Sequence, residues 1–281
     1  MIKRFLVGYD GSDLSREAFA YSLMFAQALR AEVRIIHVIE SDIQTVLAGD
    51  PSVMMDPMMP PIMLKGADDA TLRKQVADSE QMLDELEDSC LSADVAYSER
   101  IHHGGLIDTL FGEVRDGDVI ALGLKGRFRR TGVGSSTRSL VSRSPCPVLV
   151  VSGPLVPINR VLTPYDGMAP STRALLFARD LATQTGWPLS VLAMSRGDMS
   201  QEEACDWARQ LAPAAQVMAQ NSALGSEAEL IERVVGADPY ALLVMGAYSD
   251  SWLKDLFAGS TTSHVLSHLK APIILVQKQT P

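Results

Sequence analysis

Short apolar runs alternate with helix-period segments along the first half of the chain. The runs are FLVGY (5–9), VRIIHVI (33–39), VAYSERI (95–101), VIALGL (119–124) and VLVV (148–151). Several are nearly unbroken Val, Ile and Leu, the pattern of strands covered by helices on both faces of a parallel sheet. Between the first two, Leu14, Ala18, Tyr21, Phe25, Ala28 and Leu29 fall on one helical stripe. A strand–helix–strand order with right-handed crossovers predicts an open, doubly wound α/β sheet of Rossmann-like type.

The same pattern then recurs. RFLVGYDGSDLSREAFAYSLMFAQAL from Arg4 aligns without a gap on RVLTPYDGMAPSTRALLFARDLATQT from Arg160. Arg4, Leu6, Tyr9, Asp10, Gly11, Ser15, Ala18 and Ala26 return as Arg160, Leu162, Tyr165, Asp166, Gly167, Ser171, Ala174 and Ala182. Ser15 and Ser171 sit near helix starts, where a hydroxyl caps the helix or bonds local backbone. VIALG before Leu124 matches LLVMG before Ala247, and PVLVV from Pro147 matches PIILV from Pro272. The chain of 281 residues is thus read as two tandem domains, 1–153 and 157–281, joined by a short proline-bearing connector. The apolar runs that end the two copies, Val148 to Val151 and Ile273 to Val276, each leave a sheet edge to be covered. They are expected to pair with each other.

The copies differ in the middle. Copy one carries an insert (about 42–66) with five methionines and four prolines between Thr45 and Gly66, which excludes a regular helix. Two readings are open: an adaptable lid or partner surface, or a loop whose methionines pack on their own domain. A net charge of −9 argues against nucleic acid or an anionic membrane as partner. No apolar run reaches the length of a membrane span, and the start, MIKRFLVGYDGS, lacks the pattern of a signal peptide. Three scattered cysteines, Cys90, Cys146 and Cys205, contain no CxxC pair. A cytoplasmic protein without a metal framework is expected.

Against this acidic background one segment stands apart. No acidic residue occurs from Val119 through Tyr165, while Lys125, Arg127, Arg129, Arg130, Arg138 and Arg143 do. Within it, GLKGRFRRTGVGSSTRSL from Gly123 follows the fourth strand and opens a helix near Gly134-Ser135-Ser136-Thr137. Glycines let backbone approach a ligand, and the free N–H groups of a helix start favour an anion. Asp10 ends the first strand, where a carboxylate can accept from ribose hydroxyls. The other reading is a solvated basic loop.

VGYDGSDLSREA, IIHV, the Gly-x2-Gly spacing, Gly-Ser before a helix and PVLVV together resemble the universal stress protein family. GAYSDSWLKDLFAGSTTSHVLSHLKAPIILV extends the resemblance through the second half, as in a tandem member. The resemblance implies five-stranded parallel sheets in the order 3-2-1-4-5, flanked by helices, and a last strand that commonly forms the dimer contact. It also implies adenine nucleotide as ligand: ATP, ADP or AMP, with Mg accompanying ATP. Carried over, Asp10 holds the ribose, the Val38 backbone meets adenine, Gly123, Gly126, Gly134, Ser135 and Ser136 wrap the phosphates, and Tyr9 and Leu122 belong to the same nucleotide site. ATP-binding members carry Gly-x2-Gly-x9-Gly-(Ser/Thr), but here seven residues separate Gly126 from Gly134. Copy two keeps the longer spacing, with Asp166, Met194, Gly246, Ser249, Gly259, Ser260 and Thr261 at the matching places. Ser249 replaces a glycine there, Asp250 and Asp255 add negative charge, and Met168 and Pro170 stand after the strand-1 aspartate where copy one has Ser12 and Leu14. Copy two is expected to bind weakly or not at all.

Other chemistry is sparse. His264 and His268 share a helical face without a third metal ligand nearby, and His102-His103 precede the turn glycines 104 and 105. The turn near the crevice allows a ribose or phosphate contact from these two, or a simple capping role. Cys146, between two prolines, is expected in the core. No catalytic set for hydrolysis is evident. The expected function is a nucleotide-binding regulatory protein of the stress response. The alternatives are a non-nucleotide interaction module on the same fold and a slow ATPase. A protein partner is expected, and a homodimer through the Met-rich insert or edge surfaces.

Overall fold

The computed structural model describes residues 1–39, 69–126, 134–195, 197–219, 227–246 and 271–277. The Met-rich insert, the basic residues 127–133 and the glycine loop of copy two after Gly246 therefore lie outside the described residues.

Copy one runs β1 (Arg4–Gly8), α1 (Asp13–Leu29), β2 (Glu32–Ile39), α2 (Asp69–Ser92), β3 (Tyr97–His103), α3 (Leu106–Glu113), β4 (Asp118–Gly123), α4 (Ser135–Arg143) and β5 (Val148–Val151). Copy two repeats the scheme with β6 (Arg160–Tyr165), α5 (Ala169–Thr185), β7 (Leu189–Ala193), α6 (Gln201–Leu211), β8 (Gln216–Ala219), α7 (Glu227–Ala237), β9 (Ala241–Gly246) and β10 (Ile273–Val276). Each copy has the strand order 3-2-1-4-5, and the two join into one ten-stranded sheet: β3-β2-β1-β4-β5-β10-β9-β6-β7-β8. Strands within a copy pair parallel. The seam is antiparallel, with Val150 opposite Ile273, Leu149 opposite Ile274 and Val148 opposite Leu275. The edge pairing expected from the two terminal apolar runs is thus present.

Strand alternation divides the buried side chains between two faces. One face packs Phe5, Val7, Ile35, Val161, Val191 and Ile274 under α1, α2, α5 and α6. The other packs Leu6, Ile36, Ile120, Leu162, Leu243 and Ile273 under α3, α4 and α7. Both cores run through the seam into both copies. The connector is held as well: the Tyr21 hydroxyl donates to Pro154 O and accepts from the Val156 N–H, each at 3.1 Å. Leu155 N–H donates to Glu17 Oε2 at 2.6 Å, and Phe25 of α1 meets Trp187 of copy two with ring centroids 5.8 Å apart.

One local expectation shifts, and of the two readings of Ser15 the bond to local backbone holds. The buried side of α1 is Ser15, Ala18, Phe19, Tyr21, Ser22, Phe25 and Ala26, while Ala28 is exposed. Ala26 is fully buried and Leu29 still packs on the core in the same turn, so Ala28 points to the outer side of the helix. The cap of α1 is Ser12, whose Oγ accepts from Ser15 N–H at 3.2 Å, and the Ser15 hydroxyl donates back to Ser12 O at 2.9 Å.

Candidate nucleotide site

β1 and β4 lie side by side, and the connections leaving their carboxyl ends diverge to opposite faces of the sheet. A crevice at that point is where ligands of doubly wound sheets bind. Gly11 turns the chain out of β1 with φ +74°, a conformation that disfavours a side chain. Asp10 Oδ1 accepts from Ser12 N–H at 3.0 Å, fixing the carboxylate at the start of α1. A Cβ built on Gly126 would stand 2.7 Å from Asp10 Oδ2. The second glycine of the loop therefore lies against the very carboxylate assigned to ribose.

The far side of the loop returns to the same place. Gly134 N–H donates to Leu124 O at 2.9 Å, and the Thr137 hydroxyl donates to Gly123 O at 3.1 Å. Gly134 is the N-cap of α4 and contributes no side-chain cap, and the helix opens at Ser135 and Ser136, a kind of terminus whose first amides favour an anion. Asp10, Gly123, Gly126, Gly134, Ser135 and Ser136 are thus gathered at one switch point.

Not every glycine there is explained by a ligand. A Cβ on Gly123 would meet Leu14 Cβ at 2.7 Å and Leu14 C at 2.8 Å, so this glycine seats α1 on the end of β4. Gly246 does the same in copy two, 2.4 Å from Pro170 O. Leu122 is buried, and its side chain covers Gly8, where a Cβ would lie 2.6 Å from Leu122 Cδ2. Tyr9 is buried too; burial pushes its phenol up, with the Arg16 guanidinium pulling the other way. Val38 is half-buried near the end of β2, level with His102 on β3.

His102 turns toward helix α3. Its Nε2 lies 3.4 Å from Glu113 Oε1, and Glu113 also accepts from Arg34 Nη2 at 3.3 and 3.2 Å. Burial raises the Glu113 carboxyl, but the Arg34 guanidinium outweighs it, so the net shift is downward. Burial pushes the Cys90 and Cys146 thiols up to about 11, and Cys146 lies in the core as expected. Among the described residues no group of three or more His, Cys, Asp or Glu is placed to hold a metal. None of the helices there is long and apolar enough to cross a membrane.

The matching place in copy two is more closed. Asp166 is 6% exposed, with Oδ1 accepting from Met168 N–H at 3.1 Å and from the Ser171 hydroxyl. A methionine thioether lies over the turn glycine in both copies, with a Cβ on Gly167 coming 2.0 Å from Met199 Sδ and one on Gly11 coming 2.8 Å from Met82 Sδ. Met194 is buried at the end of β7, and Gly246 ends β9; Ser249, Gly259, Ser260 and Thr261 lie outside the described residues. Met199, Thr137 and Leu14 carried no sequence signal as site residues, since each acts through packing or through a bond to distant backbone.

Two copies of one parallel α/β unit, sharing a sheet and differing at their crevices, define a tandem doubly wound protein. The sequence model described as the universal stress protein family matches residues 1–152 and 157–277. The chain belongs to that family. It is 24% identical over 292 aligned positions to a universal stress protein of Synechocystis sp., covering 97% of this chain and 99% of that protein. Among solved structures it resembles a universal stress protein from Archaeoglobus fulgidus, with a TM-score of 0.71 at 16% identity over 99% and 98% of the two chains. A second likeness is a universal stress protein from Pseudomonas aeruginosa, with a TM-score of 0.60 at 13% identity over 99% and 94%.

Proposed function

We propose that copy one, residues 1–153, binds an adenine nucleotide and that its occupancy regulates association with a protein partner. Copy two, residues 157–281, holds the weaker site. The observation that carries this reading is the contact of Gly126 with Asp10 Oδ2, beside an α4 start whose N-cap, Gly134, has no capping side chain. It brings a ribose acceptor and phosphate donors to one crevice, in the arrangement that family resemblance assigns to nucleotide. Lys125 and Arg138 flank the crevice in a segment without acidic residues, which supplies a field for phosphates. In copy two the carboxylate is buried, whereas Asp10 is half-buried, which favours the weaker assignment.

Isothermal titration of the full chain with ATP, ADP and AMP tests this. One tight site is expected. Asp10→Ala should weaken it by about 1–3 kcal/mol, the usual worth of a hydrogen bond to a charged group. Gly126→Ala should weaken it by forcing a methyl onto that carboxylate, whereas Asp166→Ala should leave the tight site unchanged. No heat with any of the three nucleotides would leave the interaction module as the function.

A further inference from the structure

The two copies treat one backbone position differently. Gly8 pairs with Ile36, and Tyr165 pairs with Ala193, so His37 and Val38 of copy one correspond to Ala193 and Met194 of copy two. In copy two the ladder continues one step beyond β6: Met194 N–H donates to Tyr165 O at 2.9 Å. In copy one Tyr9 N–H donates to Ile36 O at 2.9 Å, and the next step would bring Val38 N–H to Tyr9 O. His37 Nδ1 stands there instead, 2.7 Å from Tyr9 O. A carbonyl oxygen only accepts, so Nδ1 carries the proton and donates.

We propose that His37 keeps the base end of the copy-one crevice open, by occupying the Tyr9 carbonyl that would otherwise close on the Val38 amide. This rests on the nucleotide reading above and names the residue that gives that site its base contact. Successive residues of a strand direct their peptide groups to alternate sides. Ile36 O faces β1, since it accepts from Tyr9, and Ile39 O faces β3, since it accepts from Gly104 N–H at 3.3 Å. Val38 therefore directs its N–H and C=O toward the β1 side, just past the point where β1 ends. Among the described residues no backbone acceptor closes on the Val38 amide. A donor beside an acceptor on one strand edge matches the N1 acceptor and N6 amino donor of adenine. Copy two has Ala193 at the histidine position, and there the corresponding amide is already spent on Tyr165. The inequality of the two crevices thus reaches the base end as well as the phosphate end.

Three full-length chains test this: wild type, His37→Ala and His37→Asn, titrated with ATP and with inorganic tripolyphosphate. Ala193 shows that alanine is accommodated at this place in the fold. His37→Ala should lower ATP affinity about tenfold, the worth of one hydrogen bond, with tripolyphosphate affinity unchanged. His37→Asn, whose amide N–H reaches the same carbonyl, should restore most of the loss. Equal ATP affinity in wild type and His37→Ala would overturn the proposal, as would an equal loss for tripolyphosphate. Amide exchange followed by NMR reads the same device without ligand. Val38 should exchange faster than Met194 in wild type and slow in His37→Ala, and an unchanged Val38 rate would overturn the role of His37. A wild-type chain that binds no ATP would instead overturn the nucleotide reading, with the exchange result still deciding the backbone device.

Discussion

Arg4 and Arg160 occupy the same place in the repeat, yet their ion pairs should differ in worth by several kcal/mol. Arg4 is buried on Asp118, with Nε to Oδ1 at 3.0 Å and Nη2 to Oδ2 at 2.6 Å, the side chains 6% and 2% exposed. Nη2 also donates to Glu113 O at 2.8 Å, and Asp118 Oδ2 accepts from Arg115 N–H at 2.7 Å. Arg160 reaches Asp238 at 2.9 Å, but with side chains 45% and 26% exposed. Asp118→Ala leaves an unpaired buried guanidinium, at a cost of about 3–5 kcal/mol. Asp238→Ala leaves a cation that water solvates, at about 0–1 kcal/mol. At about 2–4 °C per kcal/mol for a domain of this size, Asp118→Ala should lower Tm by about 6–20 °C and Asp238→Ala by less than about 4 °C. Calorimetry on the full chain measures both. The double variant Arg4→Met/Asp118→Leu removes both charges and should be less harmful than Asp118→Ala alone. Equal Tm losses for the two alanine variants, or a double variant worse than the single, would refute the reasoning.

Other expectations follow from the same geometry. Gly123→Ala and Gly246→Ala each drive a methyl into the first turn of a helix and should cost about 1–3 kcal/mol in urea unfolding, with Gly246→Ala the worse because its obstruction is a carbonyl 2.4 Å away. The thiols of Cys90 and Cys146 ionise near 11 when folded but near 9 when unfolded, so the unfolded chain loses its protons first. Stability should therefore be unaffected below pH 9 and fall between about pH 9 and 11, a decline that unfolding curves of a Cys90→Ala/Cys146→Ala chain should reduce. A thiol reagent should leave both cysteines unmodified in the folded protein at neutral pH and react once denaturant is added.

The architecture was legible because it rests on long-period features. The ungapped match from Arg4 onto Arg160 required two like units, and apolar runs at both ends implied a covered edge. What was hidden depends on contacts between positions far apart in sequence. The pattern around α1 made Ala28 a core residue, although the face that meets the sheet runs through Phe25, Ala26 and Leu29 and leaves Ala28 outside. Of the two roles open to them, the recurring Ser15 and Ser171 both make the local backbone bond, to Ser12 O and Met168 O, while the cap itself falls to Ser12, whose counterpart is Met168. At the site, Asp10 and the glycines were readable as types, but the approach of Gly126 to Oδ2 needs β1 and β4 side by side. Met199 over Gly167 and His37 on Tyr9 have no local signal at all. Each fills a space that only the folded neighbours define.

The antiparallel seam has a consequence for how the two sites can change. When identical chains pair through a last strand, any substitution falls on both crevices, and the pair persists only above its dissociation concentration. Here β5 and β10 belong to one polypeptide, so their pairing is independent of dilution. Each crevice also mutates alone, which frees one to carry Met168 and Ala193 where the other keeps Ser12 and His37. Reversal of strand direction across the seam further points the two carboxyl ends to opposite rims of the sheet. A visitor docked at one rim is sterically blind to the other, and any message between them must travel through the shared core or the connector clasped by Glu17 and Tyr21.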